Sequence, residues 1–294
     1  MNISLNRAID YPLLALRGGA KPLLTHIDIG TNRINTNRDL NYLLTGEQRM
    51  GWGNVLYRNL SLATFDSLNQ YYQTMESQLT TLKRDEQKRI EEDIKKLELS
   101  SDEKYAEWSM ETDNLTAKYN MLYTNFFRYS FIVLLFLVLD DWLHRLCLAV
   151  QEFKHLPNPP ARDKDILRAY KKYLAEANVT VTDNLWEFAF DLQKVRDCIV
   201  HTSGNISRSR DKEHLRNLAK RKIGIEISTR GYYRDEEEPL YLEENMLIVK
   251  SDYCRSTILD IKLLIDKLCD AIPLSKVDLG KLFVQDDKGL TQSG

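Results

Sequence analysis

The sequence predicts a mainly α protein, a helical bundle with a long charged helix ahead of it and a small β-hairpin near the C-terminus. Three observations carry this. Apolar residues recur at threes and fours from Leu62 onward, the period of a helix face. Apart from room for one short strand in the leader, strand character falls in two short stretches beyond residue 222. A hydrophobic fraction of 43% over 294 residues is ample for the shared core such helices need.

Residues 1–57 mix Pro12, Gly18, Gly19, Pro22, Gly30, Gly46, Gly51 and Gly53 with short apolar pieces and read as an irregular leader. The helical domain is placed at 58–275. Its first element is a long charged helix whose seam runs through Leu62, Phe65, Leu68, Tyr72, Met75, Leu79 and Leu82 to Leu97. Ser100 and Glu103 form a capping box that opens a second helix. Trp108, Leu115, Tyr119, Leu122 and Phe126 carry its stripe into the apolar centre Phe131–Leu139 and on toward Val150.

Pro157, Pro159 and Pro160 break that run. A short helix follows over Asp163–Ala177, with Ile166, Tyr170 and Leu174 on one face. Asp183 is placed to cap the next helix, which buries Leu185, Ala189, Leu192, Val195 and Ile199. Ser207–Lys222 is a basic arm, with seven Lys and Arg against Asp211 and Glu213. Ile223–Thr229 and Leu240–Val249 read as strands of a hairpin around the acidic Asp235–Glu238. Ser251–Ile272 is a last amphipathic helix burying Ile258, Ile261, Leu264, Ile265 and Leu268, and residues 276–294 form a polar, loose tail.

Charge and composition narrow the function. Lys+Arg 41 against Asp+Glu 43 leaves a net charge of -2, so nucleic-acid contact has to rest on local patches. Cys147, Cys198, Cys254 and Cys269 are scattered without pair spacing, as reduced core cysteines are. The N-terminal residues lack the apolar core of a signal peptide, and the apolar run Phe131–Leu139 is too short to cross a bilayer. The expectation is a cytoplasmic protein without a membrane role.

The stretch with chemistry in it is Leu192–Asn205. Leu192, Val195 and Ile199 anchor one face, and Gly204 with Asn205 terminates the helix. His201 falls in the last turn, where the helix dipole favours a cation. Asp197 and His201 are four apart and share a face, so the carboxylate is placed to orient the ring. Arg196 and His201 are five apart, about 140° around a regular helix. An arginine fit for phosphate beside a histidine is the equipment of phosphodiester cleavage.

Spacing alone decides nothing, because twenty arginines and five histidines give about one chance match across x4 to x6. Arg208 and His214 are such a match, without an apolar helix face before them. The plain alternative for Arg196 and His201 is a pair of helix-end residues capping carbonyls. What lifts them is the apolar helix before, the glycine stop after and the basic arm beyond.

Val195-Arg196-Asp197-Cys198-Ile199-Val200-His201 resembles the Arg-polar-x3-His signature of the HEPN superfamily. Leu139-Asp140-Asp141-Trp142-Leu143-His144-Arg145-Leu146-Cys147 is similar to that superfamily's second helix, with Asp140 where glutamate is usual and His144 where asparagine is common. The resemblance covers roughly residues 60 to 275. It implies a helical domain that dimerises so that two motifs face one groove, and a metal-independent endoribonuclease of the kind found in phage defence and toxin systems. Arg196, Asp197 and His201 would be catalytic, with Asp140, His144 and Ser203 as support. Arg208, Arg210, Lys212, Arg216, Lys220, Arg221 and Lys222 would bind RNA phosphates. The implied partners are RNA, a second copy and a regulatory or antitoxin protein.

No cofactor is expected. His26 and His155 lack ligand partners at metal spacing, and Gly18-Gly19-Ala20-Lys21 lacks the spacing of a phosphate loop. Two other readings stand beside the nuclease. One is a non-catalytic HEPN module that binds RNA or a protein. The other is a toxin modified by a minimal nucleotidyltransferase, whose usual tyrosine two residues after the histidine is replaced here by Ser203.

Overall fold

The computed structural model describes residues 46–160, 165–228 and 244–272. The chain divides after Leu44 into two units, and every described residue belongs to the second. Most of the leader, the tail from 276, the acidic run Asp235–Glu238 and the outer parts of both expected strands lie outside the described residues.

The second unit is mainly α, as its periodicity requires. Helix α1 spans Gly46–Lys96 and starts inside the stretch read as irregular, taking Gly46, Gly51 and Gly53 with it. An interior glycine costs a helix only about 1 kcal/mol. A helix already anchored by the buried Tyr57, Phe65 and Tyr72 therefore propagates through them. The seam beyond Tyr72 is only partly covered, with Ile94 buried and Leu82 and Leu97 exposed.

Helix α2 (Ser101–Thr116) runs back against α1 and opens on the expected capping box, in which the Glu103 amide donates to Ser100 Oγ and the Ser100 amide donates to Glu103 Oε2. The stripe that reads as one helix toward Val150 is in fact interrupted. Ala117–Tyr123 is a π-helical turn joining α2 to α3 (Thr124–Lys154). Glu86 of α1 faces this turn, accepting from Tyr119 Oη at 2.7 Å and from Lys118 Nζ at 3.0 Å. Burial raises the Glu86 carboxyl, but these two donors outweigh it and hold the group below its ordinary value.

Helix α3 is the centre of the core. Its Phe131, Ile132, Leu135, Leu139 and Leu143 are fully buried among α1, α4 (Ile166–Glu176), α5 (Asp183–Thr202) and α7 (Ser251–Ala271). Among the described residues no helix is long and apolar enough to cross a membrane. Ile166, Tyr170 and Leu174 are the buried face of α4, as their spacing predicts. The four cysteines are free and buried, and burial pushes the Cys147, Cys254 and Cys269 thiols up to about 12.

Asp183 does not cap α5. The N-cap is Thr182, and the Asp183 carboxylate accepts from Lys171 Nζ at 2.6 Å. An acid in the first turn still complements the helix dipole. After α5 the chain makes a 3-10 turn (Ile206–Arg208) and helix α6 (Lys212–Arg221), then pairs β1 (Ile225–Ile227) antiparallel with β2 (Leu247–Val249), Ile225 opposite Val249.

Candidate active site

The geometry of the site begins where α5 ends. Ser203 and Gly204 both take positive φ, 53° and 85°, and turn the chain off the helix axis. Glycine is required at 204. A side chain there would overlap the Tyr129 hydroxyl and come within 2.6 Å of its Cζ. The turn is then tied to the far strand, with the Leu247 amide donating to the Gly204 carbonyl at 2.9 Å and the Ile206 amide donating to the Asn245 carbonyl at 2.9 Å. From α3, Tyr129 Oη and Asn125 Nδ2 both donate to the Leu247 carbonyl. Burial raises the Tyr129 phenol, so it serves as a neutral donor.

Beyond the turn, Asn205 Oδ1 accepts from the Ser207 amide at 3.1 Å and from Ser207 Oγ at 2.6 Å, which opens the 3-10 turn. That turn swings Arg208 and Arg210 back over the end of α5. An ion pair of 3.1 Å between Lys194 of α5 and Asp211 fastens the loop ahead of α6.

These elements enclose a cavity of about 860 Å³. Arg196, Asp197, His201, Asp140, Arg208 and Arg210 all line it. Its floor is formed by the buried Phe136, Asp140, Ile166 and Gln193, and its rim by the exposed His201, Arg208 and Arg210. The 140° offset of Arg196 from His201 is absorbed because a cavity this wide takes side chains from two sides of α5.

Arg196 is held rather than mobile. Its Nη1 donates to Asp197 Oδ1 at 2.7 Å, its guanidinium lies 5.0 Å from the centre of the Phe136 ring, and its Nε is buried without a hydrogen-bond partner. Asp197, placed by spacing to orient His201, is thus turned to the arginine beside it. The adjacent guanidinium presents a full charge, and the Asp197 side chain is only 15% exposed, so little water competes for it.

The other expected residues separate into two groups. Tyr170 Oη donates to the buried Asp140 at 3.1 Å, and His144, one turn on, lies with its ring centre 6.2 Å from that of Tyr170 and outside the cavity lining. Ser203 is exposed at the C-cap and also outside the lining. Of the seven basic residues only Arg208 and Arg210 reach the cavity. Arg216 pairs with Glu213 at 2.7 Å, and Arg221 pairs at 2.6 Å with Asp191, whose side chain is 5% exposed. Lys212 and Lys220 are exposed on α6, and Lys222 is its C-cap. His214, the chance match to Arg208, also binds Asp191, at 2.8 Å.

Phe136, Gln193, Lys194 and Asp211 are site residues that motif reading passes over. Gln193 was within reach of it, since 193, 197 and 201 recur at four and share a face with the motif. Lys194, Arg196, Arg208 and Arg210 stand against Asp140, Asp165, Asp197 and Asp211, so the lining carries both signs in equal number. Among the described residues no group of three or more His, Cys, Asp or Glu is arranged as a metal site.

No family model, curated protein or solved structure matches the chain.

Proposed function

We propose that the chain is a HEPN-type endoribonuclease that cleaves RNA without a metal ion, works as a homodimer in the cytoplasm and serves in phage defence or a toxin system under a regulatory partner. The observation that carries this reading is that Arg196, Asp197 and His201 line one cavity together with Arg208 and Arg210, on a helix end tied at Gly204 to strand β2. The half-exposed Leu137 and Val200, at 50% and 47%, lie beside the motif and supply apolar surface for a second copy.

In this reading one His201 takes the proton of a ribose 2′-hydroxyl. The 2′-oxygen forms a bond to the adjacent phosphorus, and the bond from phosphorus to the 5′-oxygen breaks. The partner subunit's His201, or a water, returns a proton to that 5′-oxygen. The products are a 2′,3′-cyclic phosphate and a 5′-hydroxyl. Arg196, preset by Phe136 and Asp197, stabilises the charge of the phosphorane, as Arg208 and Arg210 hold the flanking phosphates. DNA has no 2′-hydroxyl and is spared.

The test is incubation of the purified chain with mixed RNA in EDTA, followed by end-group analysis. Cleavage with 2′,3′-cyclic ends that is abolished by His201→Ala supports the reading, whereas strict dependence on added Mg²⁺ overturns it. The equal balance of acids and bases in the lining favours a second reading, a HEPN module that binds RNA or protein without cutting. Bacterial growth separates the two: the nuclease arrests it and Arg196→Ala does not, while a binding module gives equal growth for both.

A further inference from the structure

We propose that the outer edge of β1 and the facing side of α6 form a docking groove for an extended acidic segment of a partner protein, taken up as a third strand. The inference is independent of the nuclease reading, because no residue of this groove lines the cavity at Arg196. The groove has a volume of about 480 Å³ and lies between the two elements, lined by Arg216, Ala219 and Lys220 of α6 and by Ile225, Glu226 and Ile227 of β1.

The hydrogen bonds of the strand pair decide which way β1 faces. The Lys250 amide donates to the Gly224 carbonyl at 2.8 Å and the Ser228 amide donates to the Met246 carbonyl at 2.9 Å, so Gly224, Glu226 and Ser228 turn their main chain to the β2 side. In an antiparallel pair the residues between them point the other way. Leu247 and Val249, which lie opposite Ile227 and Ile225, show the same alternation: their main-chain groups are turned to Gly204, Asn125, Arg128 and Tyr129. Ile225 and Ile227 therefore present their amides and carbonyls on the side away from β2, and among the described residues no hydrogen bond engages them. An open edge of this kind is a template for another strand.

Side chains in the groove select the occupant. Ile225 is buried and Ile227 and Ala219 are partly buried, which gives an apolar wall for alternate residues of an added strand. Ile223, 82% exposed, adds apolar surface where the strand begins. Both acids of the lining are already paired, Glu213 with Arg216 at 2.7 Å and Glu226 with Lys250 at 3.0 Å. Lys220 is exposed and has no ion pair among the described residues, which leaves the groove with an unmatched cation. Arg221 and Lys222 follow it at the end of α6. A second copy adding its own β1 about a two-fold axis would bring two such basic helix ends together, and like-charge repulsion opposes this. An extended segment with apolar residues at alternate positions and a carboxylate opposite Lys220 matches the open main chain, the apolar wall and the cation together.

The test uses the full-length protein. Peptides are selected on it from a random dodecamer display library, and the enriched sequences are synthesised with a fluorescein label for polarisation titration. Sequences with alternating apolar residues and an aspartate or glutamate should be enriched, and a library that enriches none overturns the proposal. Lys220→Glu should weaken their binding at least tenfold, whereas Asn217→Asp, exposed on the same helix outside the groove, should change it less than twofold. N-methylation of the peptide one residue at a time probes the added strand and leaves the protein intact: binding should be lost at every second position and kept between. Ile227→Pro, which removes an outward amide and no bond to β2, should abolish binding with the circular dichroism spectrum unchanged. Uniform tolerance of N-methylation, or binding indifferent to Lys220→Glu, overturns the proposal. Self-association that is lost in Ile227→Pro assigns the edge to a second copy, and displacement of the peptide by oligouridylate at matched ionic strength assigns the flank to nucleic acid; either result overturns it as well.

Discussion

Arg196 is clamped between its neighbour in sequence and a ring from another helix: Nη1 donates to Asp197 Oδ1 at 2.7 Å while Phe136 of α3 lies beneath the guanidinium, 5.0 Å from ring centre to Cζ. A free arginine has some 2 kcal/mol of rotamer entropy to lose on gripping a phosphate. Here much of that ordering is already done, and in a groove partly shielded from water.

Phe136→Leu retains bulk in the core but removes the π face. Its cleavage rate at saturating RNA should fall about tenfold, since small misplacements of a catalytic group are expensive, while RNA affinity changes less than threefold. Phe136→Tyr, which keeps the face, should restore most of the rate. Single-turnover kinetics read both numbers, and equal loss in the Leu and Tyr variants would mean that the ring only fills space.

RNA affinity should separate the basic residues by where they point. Arg208→Ala with Arg210→Ala weakens binding and lowers the salt slope by about two, because both line the cavity. Lys212→Ala with Lys220→Ala leaves the slope nearly unchanged. Arg221→Ala acts on the fold instead, since it leaves the buried Asp191 carboxylate with His214 as its remaining partner. Filter binding across a salt series, paired with thermal melts, distinguishes these outcomes.

Gly204→Ala is expected to destabilise the protein by roughly 2 kcal/mol or more, combining a positive φ with overlap of Tyr129. Urea titration measures this. A neutral result would show that the turn can move away from α3 at little cost.

The Glu86 contact predicts a pH dependence. A carboxyl held below its ordinary value contributes stability that is fully present above that value, about 4.5, and is lost as pH falls through the lowered one. The gap in melting temperature between wild type and Glu86→Gln should therefore be constant from pH 6 to 8 and close below about pH 4.5. A gap that persists at pH 3 would place the contribution in packing instead.

The helices, the capping box at Ser100 and the antiparallel strand pair are legible in the sequence because each depends on local pattern. The π turn at Ala117–Tyr123 is not, since an extra residue in one turn preserves the apolar stripe on both sides and Glu86, which it faces, lies more than thirty positions away. The helix that carries Arg196, Asp197 and His201 is legible in the sequence, but its surroundings are not. Asp197 has two basic neighbours, Arg196 and His201, and the one it pairs with is Arg196, which also lies over the Phe136 ring of a distant helix. The basic arm reads as one patch, yet the 3-10 turn and α6 send its residues to different places.

The ties that hold Gly204 have a consequence for when this protein can act. Leu247 and Val249 are joined to Asn125 and Tyr129 across about 120 positions, and Leu247 is joined to Gly204 across more than 40. During synthesis, α5 and its arginine and histidine emerge well before the strand that fixes the turn behind them. A nascent chain therefore carries the motif in unassembled form, and, on the proposed reading, the cavity that would act on RNA takes shape only once Val249 is free to fold back.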